Sequence, residues 1–119
     1  MTSPLPPEQQ FAVQFAHILA QHDYKRAHSL TTQEYQRQVS VTKIQNYFEQ
    51  IIPADWGTID PILAVDDTFT DFPDKHASDV GWVYVSLEGT VYPYSEGLYI
   101  LVAWENDTFR VRDVVFGRP

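Results

Sequence analysis

Apolar residues recur every three or four positions up to Pro53 and every second position after it, dividing the chain into a helical first half and a stranded second half. Phe11, Phe15, Ile18, Leu19 and His22 form the first stripe, about four turns long. Pro6 and Pro7 suit its first turn, where a missing N–H is harmless, and Glu8 faces the positive end of the helix dipole. A break is expected at His22-Asp23, with Asp23 as N-cap of a second short segment carrying Tyr24, Ala27 and Leu30. Thr31-Thr32 interrupts again, with Glu34 placed as in a capping box that starts at Thr31. Ser40 caps the third expected helix, whose stripe is Ile44, Tyr47, Phe48, Ile51 and Ile52 and whose stop is Pro53.

The period then becomes two. Residues 58–66 suit a strand, but Pro61 cannot donate to a ladder on both sides and makes it an edge or a bulged piece. From Gly81 to Thr90, Val83, Val85 and Leu87 alternate with Trp82, Tyr84 and Ser86, so one face is covered and the other half-buried. The composition of 92–97, Tyr-Pro-Tyr-Ser-Glu-Gly, predicts a turn. Leu98, Ile100, Val102 and Trp104 form the next alternating run, followed by a tight turn at Glu105-Asn106-Asp107. In the last strand, Phe109, Val111, Val114 and Phe116 break strict alternation, which predicts a bulge near Arg112 and Asp113. The expected fold is α+β, with three helices packed on an antiparallel sheet of about four strands, all within one domain over residues 1–119.

Charge narrows the partners. Sixteen acids against eight Lys plus Arg leave a formal net charge of −8, and the excess lies entirely in residues 54–119. Asp55, Asp60, Asp66, Asp67, Asp71, Asp74 and Asp79 crowd before the first long strand, opposed there by Lys75. Duplex binding needs a basic face and anionic membranes repel an acidic one, so neither nucleic acid nor membrane is an expected partner. The absence of cysteine excludes disulfides, thiolate metal sites and a cysteine nucleophile. No apolar run approaches the roughly 20 residues that span a bilayer, and the first residues lack a basic and an apolar signal region. The expected location is cytoplasmic.

The segment His22-Asp23-Tyr24-Lys25-Arg26-Ala27-His28-Ser29-Leu30, the Ser40-capped helix through Phe48, Asp55-Trp56-Gly57, and the strands Glu96 to Val102 and Phe109 to Gly117 follow one another in a telling order. In that order the chain resembles the nuclear transport factor 2-like, cystatin-like cone superfamily over about residues 11–117. The resemblance implies a strongly curved antiparallel sheet wrapped around the helices as a cone, with a pocket between them. Members use that pocket as an active site, a ligand site or a filled core, so function does not follow from the fold.

Same-face members of the aromatic set Trp82, Tyr84, Tyr92, Tyr94, Tyr99 and Trp104, lining the mouth of the cone, would make an apolar pocket with hydroxyls and indole N–H groups aimed inward for a small apolar ligand, with Trp82, Tyr84, Tyr99 and Trp104 as the ligand-binding candidates. The same residues also suit plain strand packing. Superfamily isomerases and dehydratases imply an acid-base pair in the cone, for which Asp113 with Tyr84 or Tyr99, and His17, are the catalytic candidates here. His17, His22 and His28 make no i, i+4 pair with a neighbouring Glu, so no metal is expected, and no cofactor is implied. The aspartates from Asp66 to Asp79 lack calcium-loop spacing and read as a solvated acidic loop. Such a one-signed surface steers a basic protein partner. Taken together, these residues predict a non-catalytic ligand-binding or protein-interaction module that uses the cone pocket or the acidic face, forming a homodimer through the open sheet face. The alternative is a small isomerase- or dehydratase-like enzyme. A cone plugged by Phe11, Phe15, Phe48 and Trp104 favours the module.

Overall fold

The computed structural model describes residues 5–52, 57–63, 68–89 and 95–117. Four helices precede a sheet: α1 (Pro7–Ala20), α2 (Tyr24–Ser29), α3 (Gln33–Gln38) and α4 (Val41–Ile51). Pro6 caps α1 and a proline occupies its first turn, as the sequence leads one to expect. His22, however, lies beyond the helix. Gln21 is the C-cap and His22 takes a left-handed φ of 63°, while the His22 N–H donates to the Leu19 carbonyl at 2.9 Å and the Asp23 N–H to the Ile18 carbonyl at 3.2 Å. That is a Schellman closure with histidine where glycine is usual. Asp23 Oδ1 then accepts from the Arg26 N–H at 3.2 Å and starts α2.

The expectation of three helices is corrected by α3. Its sequence, Gln-Glu-Tyr-Gln-Arg-Gln, carries one apolar residue and is too short to show a stripe. Its cap is Thr32, whose hydroxyl accepts from the Tyr35 N–H at 3.2 Å, and not Thr31. Thr31 instead bridges to the last strand, where the Thr32 N–H reaches the Val111 carbonyl at 2.8 Å and the Val111 N–H the Leu30 carbonyl at 2.9 Å. Ser40 caps α4 by accepting from the Lys43 N–H at 3.1 Å. Pro53, Asp55 and Trp56 lie outside the described residues.

The sheet has the order β1 (Ile59–Leu63), β2 (Asp79–Gly89), β3 (Ser95–Glu105), β4 (Thr108–Phe116), antiparallel throughout. Pro61 sits on the edge strand β1, where a missing donor leaves the pairing with β2 intact. Asn106 and Asp107, with φ of 54° and 64°, make the two-residue hairpin turn between β3 and β4. The bulge falls at Arg112: Leu101 faces Asp113, the next pair is Val102 with Val111, and Arg112 is the extra residue. It lets Val111 and Val114, three apart, face Val102 and Ile100 on the same side.

The turn expected at 92–97 needs correction, since β3 already includes Ser95, Glu96 and Gly97; Tyr92, Pro93 and Tyr94 lie outside the described residues. A Cβ on Gly97 would stand 2.5 Å from the Tyr84 hydroxyl oxygen, so this glycine accommodates a ring lying over the strand.

One face of the sheet carries the core. Val83, Val85 and Leu87 of β2 and Leu98, Ile100 and Val102 of β3 meet Phe15, Leu19, Ile44 and Phe48 of the helices, all at most 1% exposed. Helix α1 lies across β1, β2 and β3, whereas α3 and α4 meet β4.

A second layer covers part of the other face. Beyond β1 the chain returns to the β2 edge, where Phe69 and Trp82 exchange two backbone hydrogen bonds of 2.9 Å. Thr68 ties this stretch to α1, accepting from Gln9 Nε2 at 3.2 Å and donating to Glu8 Oε1 at 3.0 Å. At its end stands Asp79, expected in a solvated loop but buried, with a side chain 0% exposed. Its Oδ1 accepts from Arg112 Nε at 2.6 Å and its Oδ2 from Arg112 Nη2 at 2.7 Å and from the His76 N–H at 2.8 Å. Burial alone would raise the Asp79 carboxyl, but the hydrogen bonds from Arg112 and His76 and the Arg112 charge hold it below its ordinary value.

A depressed native carboxyl gives stability that is complete above about pH 4 and is lost as pH falls through the native value. Asp79→Asn should remove that acid dependence and cost about 2–3 kcal/mol at pH 7, because Arg112, 22% exposed, stays largely buried without its partner; an unchanged urea midpoint refutes this. At Gly81 a Cβ would lie 2.5 Å from the Phe69 carbonyl oxygen, so Gly81→Ala should lose about 1–3 kcal/mol in the same assay.

Candidate functional site

Strand alternation sends Trp82 and Tyr84 of β2, Tyr99 of β3 and Val115 of β4 away from the helices. Register then lines up Tyr84, Tyr99 and Val115 across three strands, with the two tyrosine rings 4.8 Å apart. The 68–72 stretch adds Phe69 and Phe72, the latter edge-on to Trp82 at 6.2 Å. Between them lies a groove of about 330 Å³ lined by Phe69, Asp71, Phe72, Trp82, Tyr99 and Val115. Phe69 remains 55% exposed and Val115 44%. Lys75 is engaged at its margin, its Nζ 5.9 Å from the Phe72 ring centre and donating to the Thr70 carbonyl.

Three of the four ligand-binding candidates, Trp82, Tyr84 and Tyr99, therefore meet on this outer face, turned away from the helices, and not in the expected pocket between helices and sheet. Trp104 does not join them: it stacks on Phe109 at 4.3 Å, and Phe109 in turn meets Phe11 at 5.8 Å. Of the residues expected to plug the interior, Phe15 and Phe48 are 1% and 0% exposed, but Trp104 is 50% exposed. Tyr92 and Tyr94 lie outside the described residues.

Asp113 belongs to another region. Together with Tyr35, Val39, Tyr47, Gln50, Ile51, Val114 and Phe116 it lines a cleft of about 390 Å³ between α3, α4 and β4. A neighbouring cleft of about 340 Å³ shares Tyr35, Val39 and Asp113 and adds Thr32, Glu34, Gln38, His76 and Arg112. Asp113 and Tyr99 line different cavities, and the tyrosines that accompany Asp113 are Tyr35 and Tyr47. The carboxylate is exposed and its Oδ1 accepts from the Val114 N–H at 2.8 Å. Tyr35 is 7% exposed, and its hydroxyl makes no hydrogen bond among the described residues. Burial raises the Tyr35 hydroxyl above the usual phenol range, and the charges of Asp113 and Tyr47 add to this.

The histidines serve local contacts. His17, exposed on α1, pairs its Nε2 with Gln21 Nε2 at 3.1 Å, and His28 Nε2 bonds the Val39 carbonyl at 2.8 Å. His22 Nδ1 meets the Tyr24 hydroxyl at 2.8 Å. Among the described residues no three His, Asp or Glu side chains gather as a metal site. None of the described helices is long and apolar enough to cross a membrane.

Sequence reasoning missed Tyr35, whose helix lacks an apolar stripe, and Phe69 and Phe72, which stand among aspartates. The spacing Phe69-x-x-Phe72 was the available signal. Comparison of the chain with protein-family models, with curated proteins and with solved structures finds no match.

A raised native hydroxyl gives stability that is complete below the ordinary tyrosine value near 10 and declines as pH rises beyond it. Tyr35→Phe should therefore flatten the fall in urea midpoint between about pH 9 and 11. An alkaline profile identical to that of the parent protein contradicts this.

Proposed function

We propose that this chain is a non-catalytic protein-interaction module and a small member of the nuclear transport factor 2-like superfamily, with a curved sheet whose outer face is the docking surface. The observation that carries the reading is the exposed aromatic groove of Phe69, Phe72, Trp82, Tyr99 and Val115 on a face that the helices leave open. Helices first and an antiparallel meander afterwards support the family. The interior between helices and sheet is occupied by Phe15, Leu19, Ile44 and Phe48, which favours a surface site over an internal one.

The occupant is a partner segment that presents an apolar side chain beside Lys or Arg. Asp71 is the charged residue among those lining the groove, and the −8 of the chain belongs to the half that builds the sheet. A second copy would bring like charges together, whereas a cationic partner is steered in. Catalysis is less favoured, because proton abstraction at carbon needs a desolvated base and Asp113 is exposed.

Light scattering and a fluorescence titration with synthetic Lys- and Arg-flanked Leu, Phe and Trp peptides test the proposal. The expected result is a monomer at micromolar concentration that binds these peptides at low salt, weakens beyond about 0.3 M salt, and loses at least tenfold in affinity in the Phe69→Ser, Val115→Ser double variant. A stable dimer broken by the same substitutions replaces the cationic partner with a second copy. Peptide affinity equal in the double variant overturns the docking surface.

A further inference from the structure

The cleft between α3, α4 and β4 has a chemistry unlike the outer groove. Its walls are Val39, Ile51, Val114 and Phe116, and the Tyr47 and Phe116 rings stand 5.5 Å apart at 44°. Its polar groups are the Asp113 carboxylate, the Tyr35 and Tyr47 hydroxyls and the Gln50 amide, with no Lys or Arg among the lining residues.

Asp113 has a cationic neighbour in sequence on one side, but Arg112 commits both Nε and Nη2 to Asp79. Asp113 is thereby left without an ion pair among the described residues; its hydrogen bond there is to the Val114 N–H. Tyr35 is the second observation. Its side chain is more than nine-tenths buried at 7% exposure, and it lines both this cleft and the neighbouring one with a hydroxyl that no described group engages. The ring is packed away while the hydroxyl stays open to the clefts, where an entering group can bond it.

We propose that this cleft binds a small organic cation, a primary ammonium on a short apolar or aromatic body. The ammonium is held by the Asp113 carboxylate, with the Tyr35 hydroxyl oxygen as a second acceptor, and its body lies against Val39, Ile51 and the Tyr47 and Phe116 rings. Aromatic faces and a carboxylate both favour a cation, and a cleft without a lining base rejects carboxylates and phosphates. The site is separate from the outer groove and does not rest on it.

The test is calorimetric or NMR titration of the intact protein with phenethylammonium, 2-phenylethanol and phenylacetate, which share a body and differ in charge. Phenethylammonium is expected to bind at least tenfold more tightly than the alcohol, and phenylacetate not to bind. Asp113→Asn, an isosteric change at an exposed position, should abolish the preference for the cation, and Tyr35→Phe should weaken it severalfold. The Phe69→Ser, Val115→Ser variant should bind phenethylammonium like the parent, which keeps failure of the outer groove distinct from failure of this site. Equal affinity for amine and alcohol, or undiminished amine binding by Asp113→Asn with an unchanged circular dichroism spectrum, overturns the proposal.

Discussion

The ion pair between Asp79 and Arg112 joins β2 to β4 across β3, and much of the outer face depends on it. Leu101 and Ala103 of the strand it crosses are 1% exposed each, although they point away from the helices. A carboxylate taken wholly out of water needs two well-aligned donors and more to compensate its lost hydration. Asp79 has them in the guanidinium fork and the His76 amide, and the Trp104 N–H bonds the adjacent Ser78 carbonyl at 2.8 Å. The bulge supplies the geometry: an extra residue in β4 re-aims one side chain without shifting the apolar register on either side.

From that pair the two candidate surfaces separate. The 68–79 stretch, tied at one end to α1 through Thr68 and at the other to β4 through Asp79, lays Phe69 and Phe72 beside Trp82 and turns a flat strand face into a groove. The same pair occupies Arg112, so Asp113 makes no ion pair among the described residues and lines the cleft with Tyr35 and Tyr47. An apolar groove and an anionic cleft thus sit on different parts of one small sheet.

Much of the fold was legible because local rules decide it. Asp23 and Ser40 cap as their chemistry dictates, Pro61 lies on an edge strand, and the slip from Val111 to Val114 marks the bulge. The third short helix was illegible because one tyrosine in six residues has no period. Gly97 looked like a turn residue since composition cannot tell a glycine that bends the chain from one that a tyrosine ring covers.

The sites divide in the same way. Alternation alone put Trp82 and Tyr84 on one face of their strand, while the register that adds Tyr99 and leaves out Trp104 came from the fold, and the excess of acids over residues 54–119 was countable without coordinates. Which acids are solvated was not countable. Asp71 and Asp79 are eight positions apart in an aspartate-rich stretch, yet one borders an open groove and the other is buried against a guanidinium. Periodicity and caps act within a few residues and so are written in the chain itself. The partner of a charge is whatever folding brings within a few ångströms of it, and for Asp79 that is a residue 33 positions away.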